Sequence, residues 1–449
     1  MRDSTSGLVE QGAGMGTEIV VVVRDTGIVW VAQTAETVRA AGCVIGLVTG
    51  PLDTVEAIEL DKLVDGLAVV DDPTDPEQLA EAARTLSQGH RLGAVFSASD
   101  GTLVAAARAA EILGVGRTPA RGLLLCRNKY ATRTALRRAG LSTPRFALMH
   151  DPAEAAAVAA RVGLPAVIKP VNGAGSHLVE PVRTVEELAA AHTKISTRLL
   201  DAPQLRNLYA RPVDNGDGTT IDPTRGFLVE GRLNGPEYTV DFVVRDGEVE
   251  ALPVVDKFLI DDRFFERGFV SPPIGLDPRR EAEIEACVVA AVRAVGLDNV
   301  AGCVEIIDDA QAGPTVVEVN GRPGGQLLGT LYGLRTGVNT AAEVISLARG
   351  VPCPRSAPPL PIPLATLTLF PGRTGRLKAI HGLDAVADLP DVLQVVPSVR
   401  PGDLITADYE IFAVNLVVAG FDDYADLEDI YAQADALVTF EIEPDGGGR

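Results

Sequence analysis

Apolar and polar positions follow two rhythms along this chain. Between residues 18 and 113, short apolar runs alternate with stretches of helical spacing. Glu18–Val23, Val44–Val48, Leu67–Val70 and Ala94–Phe96 read as strands. Thr34–Ala41, Pro76–Leu86 and Thr102–Leu113 read as helices, with a turn at Gly50-Pro51. Strands alternating with helices predict a parallel sheet with both faces covered, a small Rossmann-like unit over residues 17–125. No glycine fingerprint follows its first strand, which favours a structural or substrate-shaping role. Gly12-Ala-Gly-Met-Gly16 precedes that strand and is no dinucleotide motif.

The second rhythm is strand and turn. Cys126–Gly140 reads as one basic amphipathic helix, and strands then follow on both sides of the glycine-rich 173–176. Further strands fall at Phe227–Glu230, Glu237–Asp241 and Leu252–Asp262, with Arg206–Arg225 expected as a long exposed loop between them and the glycine-rich stretch. Arg279–Val295 is an amphipathic helix running into Gly296, and Ala341–Leu347 a shorter one. A proline-rich stretch, 351–363, precedes a compact α+β module. Its strands are Leu364–Leu369, Val392–Val396 and Ile411–Val418, and its helix is Leu427–Leu437. Met1–Gly16 and Gly446–Gly448 read as polar tails.

Composition narrows the class. The 449 residues are 46% hydrophobic and carry a net charge of -21, which suits a large α/β protein and argues against nucleic-acid or anionic-membrane partners. No apolar run approaches membrane-spanning length. The five cysteines form no CxxC pair, so reduced thiols in a cytoplasmic protein are expected.

Chemistry concentrates in a predicted hairpin, Cys303–Ile307 and Thr315–Asn320, joined by the turn-rich Asp308–Pro314. Glu318 and Asn320 share one face by strand alternation. A turn near Gln311–Ala312 sets Glu305 opposite Glu318. Two carboxylates and an amide oxygen among apolar neighbours call for a cation, and hard oxygen donors suit Mg2+ bridging phosphates. The alternative is a solvated hairpin with edge charges. Arg322 follows and can pair with phosphate or carboxylate. Upstream, Lys169 ends an apolar strand, where a lysine usually meets an anion. Gly173 and Gly175 let the backbone approach a phosphate, and Ser176 adds a hydroxyl. In an acidic chain, Arg127, Lys129, Arg133, Arg137 and Arg138 form a local basic cluster, the last two reading as surface charges.

Taken together, Lys129, Lys169 with Gly173–Ser176, Glu230–Glu237, and Glu305 with Glu318-Val-Asn320-Gly-Arg322 resemble the motif set of the ATP-grasp superfamily, with similarity from about residue 18 to 440. The resemblance implies an α/β fold of three parts: a Rossmann-like pre-grasp domain (17–125), a bilobed ATP-grasp core (126–350, with a lid near 143–230) and a C-terminal module (351–449). It implies that Lys129 and Lys169 hold ATP phosphates under the 173–176 loop. Glu230 and Leu233 would meet adenine and Glu237 the ribose. Glu305, Glu318 and Asn320 would hold Mg2+, and Arg322 would steady the transferred phosphoryl group.

Within the superfamily the chain is similar to bacterial L-amino-acid ligases. Lys257 with Phe264-Phe-Glu-Arg-Gly268 resembles a segment of their amino-acid pocket, and Phe269 stands where they usually carry histidine. Gly325 falls beside that substrate site. Leu178 replaces a common glycine. The resemblance implies a carboxylate–amine ligase joining amino acids or peptides in specialised metabolism, such as antibiotic biosynthesis, with a homodimer as the oligomeric alternative to a monomer. His177, Asp241 and Glu266 are the weaker options for a base. Alternatives within enzymes are carboxylases and purine-pathway ligases using bicarbonate or formate. The alternative of another class is a non-catalytic ATP-binding regulatory module.

Overall fold

A computed structural model describes residues 16–25, 27–201, 205–325, 327–354, 358–407 and 409–444. Both predicted terminal tails lie essentially outside these ranges. Strands Glu18–Arg24, Val44–Thr49, Gly66–Val69 and Arg91–Phe96 pair in parallel, in the order third, second, first, fourth. Valines and isoleucines of the first strand alternate between two apolar clusters, so helices cover both faces as the pattern predicts. The helix Thr54–Leu63 was not foreseen. Only Leu60 of it is buried, so its apolar periodicity is weak.

The expected single basic helix is two. Ala120–Arg127 ends at Asn128, whose backbone is extended, and Lys129–Arg138 begins there. Asn128 Oδ1 accepts from the Tyr130 and Ala131 amides and caps the second helix. The break places Lys129 at a helix start, where its amide donates to Val171 O at 2.8 Å.

A four-stranded antiparallel lid sheet follows: Phe146–Met149, Phe227–Gly231, Ala166–Pro170 and Glu180–Val182, in that spatial order. Helices Ala155–Val162 and Val185–Arg198 cover it. The expected exposed loop at 206–225 is instead built. It contains a short helix, Arg206–Tyr209, and a hairpin pairing Val213–Asp214 with Thr220–Ile221. Leu208 and Tyr209 bury themselves in the lid core, an anchorage hidden by the polar composition around them.

Nine of the remaining strands build one sheet. Its grasp part is Glu237–Arg245, Glu248–Ala251, Val255–Ile260, Glu266–Ser271, Val300–Asp309 and Gly313–Asn320. Leu364–Leu369 pairs with Glu266–Ser271, and Val414–Val418 and Val392–Pro397 extend the sheet further. The C-terminal module thus continues the central sheet and adds a three-stranded sheet of its own. Among the described residues no helix is long and apolar enough to cross a membrane.

One face of the grasp strands is dry. Tyr238, Val240, Phe242, Val304, Ile306, Val316 and Val319 pack there with helix Pro278–Val295. Alternation turns Glu237, Thr239, Asp241 and Glu305 to the other face. Gly302 sits where three strands meet, and a Cβ there would strike Asn320 O and approach Phe242 Cζ to 2.5 Å. Gly302→Ala is therefore expected to destabilise the fold by about 1–3 kcal/mol through overpacking. Urea unfolding checks this, and an unchanged midpoint would show that the strands yield.

Candidate active site

The hairpin forms as its pattern predicts. Val300–Asp309 and Gly313–Asn320 are antiparallel, Glu305 faces Glu318 across the ladder, and Cys303 faces Asn320. The register shifts between Glu305 and Ile306, a bulge that leaves Val316 and Val319 both in the apolar cluster. Arg133 stabilises it: its guanidinium donates to Val316 O and Val317 O, both at 2.8 Å.

Lys129 links the helix start, the glycine loop and the hairpin. Its Nζ donates to Glu318 Oε1 at 2.7 Å and to Gly173 O at 2.9 Å. Burial pulls the Lys129 pKa down, against the opposing pull of Glu318. Burial likewise works against the Glu318 charge, but Lys129, Arg127 and Lys169 outweigh it and hold the carboxyl below its usual range.

Lys169 pairs with Glu230 Oε2 at 2.7 Å, and Arg133 pairs with both oxygens of the same carboxylate. Glu230 is 5% exposed and its side chain is fully engaged by these cations. Its evident work is to hold Lys169 and Arg133. Leu233 is half-buried just beyond the strand.

Lys257 is enclosed by carboxylates. Its Nζ lies 2.8 Å from Glu237 Oε1 and 3.2 Å from Glu305 Oε2, and it also binds Glu266. Against the cost of burial, these three raise its pKa well above the ordinary lysine value. Carboxylate oxygens of Glu237, Glu266 and Glu305 lie within 4.8 Å of one another. Burial, and the nearby Glu266, Glu318 and Glu237, push Glu305 up to about 7 despite Lys257. These half-buried carboxylates outnumber the Lys257 ammonium, and the hard oxygens of the neighbouring Glu305, Glu318 and Asn320 suit a divalent cation.

Arg322 is gripped from the first domain. Its Nε and Nη2 donate to the two oxygens of Asp100 at 3.0 and 2.8 Å, and Asp100 also accepts from Arg127 at 2.9 Å. Burial opposes the Asp100 charge, and the two guanidiniums hold it well below the carboxylate range. Asp100 escaped the sequence reading. Its signal was its place just past the carboxyl end of a parallel strand, where such sheets usually carry their chemistry.

The other expected residues divide. Ser176 Oγ donates to Phe264 O at 3.1 Å, docking the glycine loop on the Lys257 segment. Leu178 adopts φ 56°, a conformation that favours glycine. Gly325 packs directly on Phe412. Phe269 does not line an open pocket. It is 1% exposed in an apolar cluster with Leu328, Leu331 and Tyr332, so it supports the site from below. Asp241 lies fully buried and accepts from Gly324 N–H at 3.2 Å. Burial raises its pKa to about 7, and it braces the Arg322 loop. His177 is 4% exposed within the glycine loop.

Residues 162–331 match the family described as ATP-grasp domain. The fold and the site geometry agree with that match, which places an ATP-grasp domain within the chain. Residues 367–443 match L-amino acid ligase C-terminal domain 2, so the chain combines an ATP-grasp domain with an L-amino acid ligase C-terminal domain. The crystal structure of an L-amino acid ligase from Bacillus licheniformis superposes with a TM-score of 0.76 at 22% identity, covering 96% of this chain and all of that one, a likeness of fold. An uncharacterized protein of Sinorhizobium fredii, y4rH, is 29% identical over 71% of this chain and 62% of its own length. A D-alanine--D-alanine ligase of Cupriavidus necator is 29% identical over 48% of this chain and 60% of its own. The chain thus spans under two thirds of these two relatives.

The Glu230 pair predicts a pH response. Burial opposes its charge, but Arg133 and Lys169 outweigh it and bring the pKa down to about 2 from 4.5. A carboxylate depressed in this way stabilises the fold fully above 4.5 and loses that contribution as pH falls through about 2. Glu230→Gln leaves two buried cations unmatched and is expected to cost about 3–5 kcal/mol at pH 7. Chemical denaturation from pH 7 to pH 3 should show a gap between wild type and variant that narrows as the pH drops. A constant gap would rule out the charge pair as its source.

Proposed function

We propose that this protein is an ATP-dependent carboxylate–amine ligase, releasing ADP and phosphate and joining amino acids or a peptide. The observation that carries the reading is Lys129: one ammonium spans the glycine loop and the hairpin carboxylate Glu318, while Lys169 is held by buried Glu230 and Arg322 by half-buried Asp100. A cationic cradle of this kind is suited to a polyphosphate rather than to a neutral ligand. The C-terminal domain match favours amide formation over carboxylation.

In this mechanism a substrate carboxylate oxygen attacks the γ-phosphorus of ATP, forming an acyl phosphate as the bond to ADP breaks. An amine then attacks the acyl carbon, phosphate leaves, and the amine proton is lost. The first step brings an anion to a polyanion. Lys129 and Lys169 would bind the phosphates, and Arg322, oriented by Asp100, would face the transferred group. Mg2+ held by Glu305, Glu318 and Asn320 would supply charge neutralisation across the phosphates. Gly173–Ser176 would close over them and exclude water, sparing the acyl phosphate from hydrolysis. Lys257 offsets part of the charge on Glu237, Glu266 and Glu305, which lowers the cost of placing these acids beside the nucleotide.

The deciding experiment is ADP release with Mg-ATP against carboxylates and amines, singly and in pairs, with mass spectrometry of products. Release that requires a pair and yields their condensate is expected; release with bicarbonate alone would replace the ligase by a carboxylase. Glu318→Ala should abolish ADP formation with the thermal transition retained. Turnover surviving that change would remove the hairpin from metal binding. Lys129→Met should weaken ATP binding tenfold or more, in line with the roughly 1.5–3 kcal/mol of a charge-assisted hydrogen bond; calorimetry showing unaltered affinity would displace Lys129 from the phosphates.

A further inference from the structure

One segment of the C-terminal module reaches away from its own core into the site. Tyr409 N–H closes a turn on Thr406 O at 3.1 Å, and the Phe412 carbonyl accepts from the buried Asn415 amide at 3.1 Å. Between these anchors the segment touches three elements. Tyr409 packs with Ala174 against the lid core, and a Cβ on Gly175 would lie 2.5 Å from its ring. Glu410, 6% exposed, accepts from the Glu266 amide. Phe412 lies on Gly325, where a Cβ would come within 2.6 Å of the ring. Behind Phe412 stands Phe370, with centroids 6.3 Å apart, and behind that Phe265 at 5.6 Å.

These contacts explain two glycines. Gly175 has φ +55°, so its backbone favours glycine on its own account. Gly325 shows no positive φ, and the constraint there is the volume of the Phe412 ring. The two glycines lie on the two loops that carry the proposed chemistry: the loop that closes over phosphates and the loop that follows Arg322. A single short segment, braced from behind by aromatic packing, therefore presses a ring on each of those loops.

We infer that Tyr409 and Phe412 are specificity-determining residues, by which the C-terminal module limits the size of the amino-acid side chain admitted between the glycine loop and the Arg322 loop. The inference rests on the ligase reading. Walls of packed rings discriminate apolar side chains by volume, in the range of roughly 10–200-fold.

The test compares wild type, Phe412→Ala, Phe412→Leu, Tyr409→Ala and Tyr409→Phe. Pair-dependent ADP release is measured with alanine, leucine and phenylalanine, Mg-ADP affinity by calorimetry, and hydrogen exchange across residues 173–179 by mass spectrometry. Phe412→Ala should raise the kcat/KM ratio of phenylalanine to alanine at least tenfold, with Mg-ADP affinity within threefold of wild type. Tyr409→Ala should speed exchange across 173–179 at least tenfold, and Tyr409→Phe, which keeps the ring, should restore slow exchange. If Phe412→Ala loses its thermal transition, Phe412→Leu carries the test with a threefold shift. An active wild type whose ratio is unmoved in both Phe412 variants overturns this inference alone. A wild type without pair-dependent turnover removes the ligase reading and this inference with it.

Discussion

Buried charge must be matched, and this site is built under that constraint. Buried Glu230 and half-buried Glu305, Glu318 and Asp100 come from three distant segments, the middle two from one hairpin, and each meets a cation: Glu230 meets Arg133 and Lys169, Glu305 meets Lys257, Glu318 meets Lys129, and Asp100 meets Arg127 and Arg322. Removing either member of such a pair costs more than the pair itself contributes, because the remaining charge is left without a partner in surroundings poor in water. The pairs therefore act as alignment devices. They can close only when the lid, the hairpin, the first domain and the helix from Lys129 stand in one arrangement.

Two elements give the matching its geometry. The break at Asn128 turns what would be a surface helix charge into an ammonium at a helix start, pointed at the Glu318 hairpin. The bulge beside Glu318 keeps Val316 and Val319 in the core while the glutamate faces Glu305. Arg133 holds that bulge by its carbonyls and holds Glu230 as well, so strand geometry and lid charge are set by one side chain. Asp100 extends the same logic to the first domain, whose sheet delivers it to Arg322.

Much of this was legible in local sequence. The parallel unit, the glycine loop between strands, and the Glu305–Glu318 pairing follow from periodicity and turn chemistry, and they form as expected. Segments whose apolar signal is weak or masked were harder. Thr54–Leu63 buries one residue, and 206–225 conceals Leu208 and Tyr209 among turn formers. Phe269 illustrates a further limit: its place in a pocket-like segment was readable, but its burial beneath the site depends on which strands flank it.

The sequence by itself determined the parts: which segments form strands, which faces are apolar, and which side chains are candidates for phosphate and metal binding. Those properties arise within a few residues, from backbone preference and alternation. Only the tertiary structure decided the partners. That Glu230 pairs with Arg133 and Lys169, that Asp100 grips Arg322 across 222 residues, and that Tyr409 and Phe412 press on Gly175 and Gly325 all depend on contacts between segments far apart in the chain. No local pattern encodes such pairings, because they are chosen by packing and by the need to leave no buried charge unmatched.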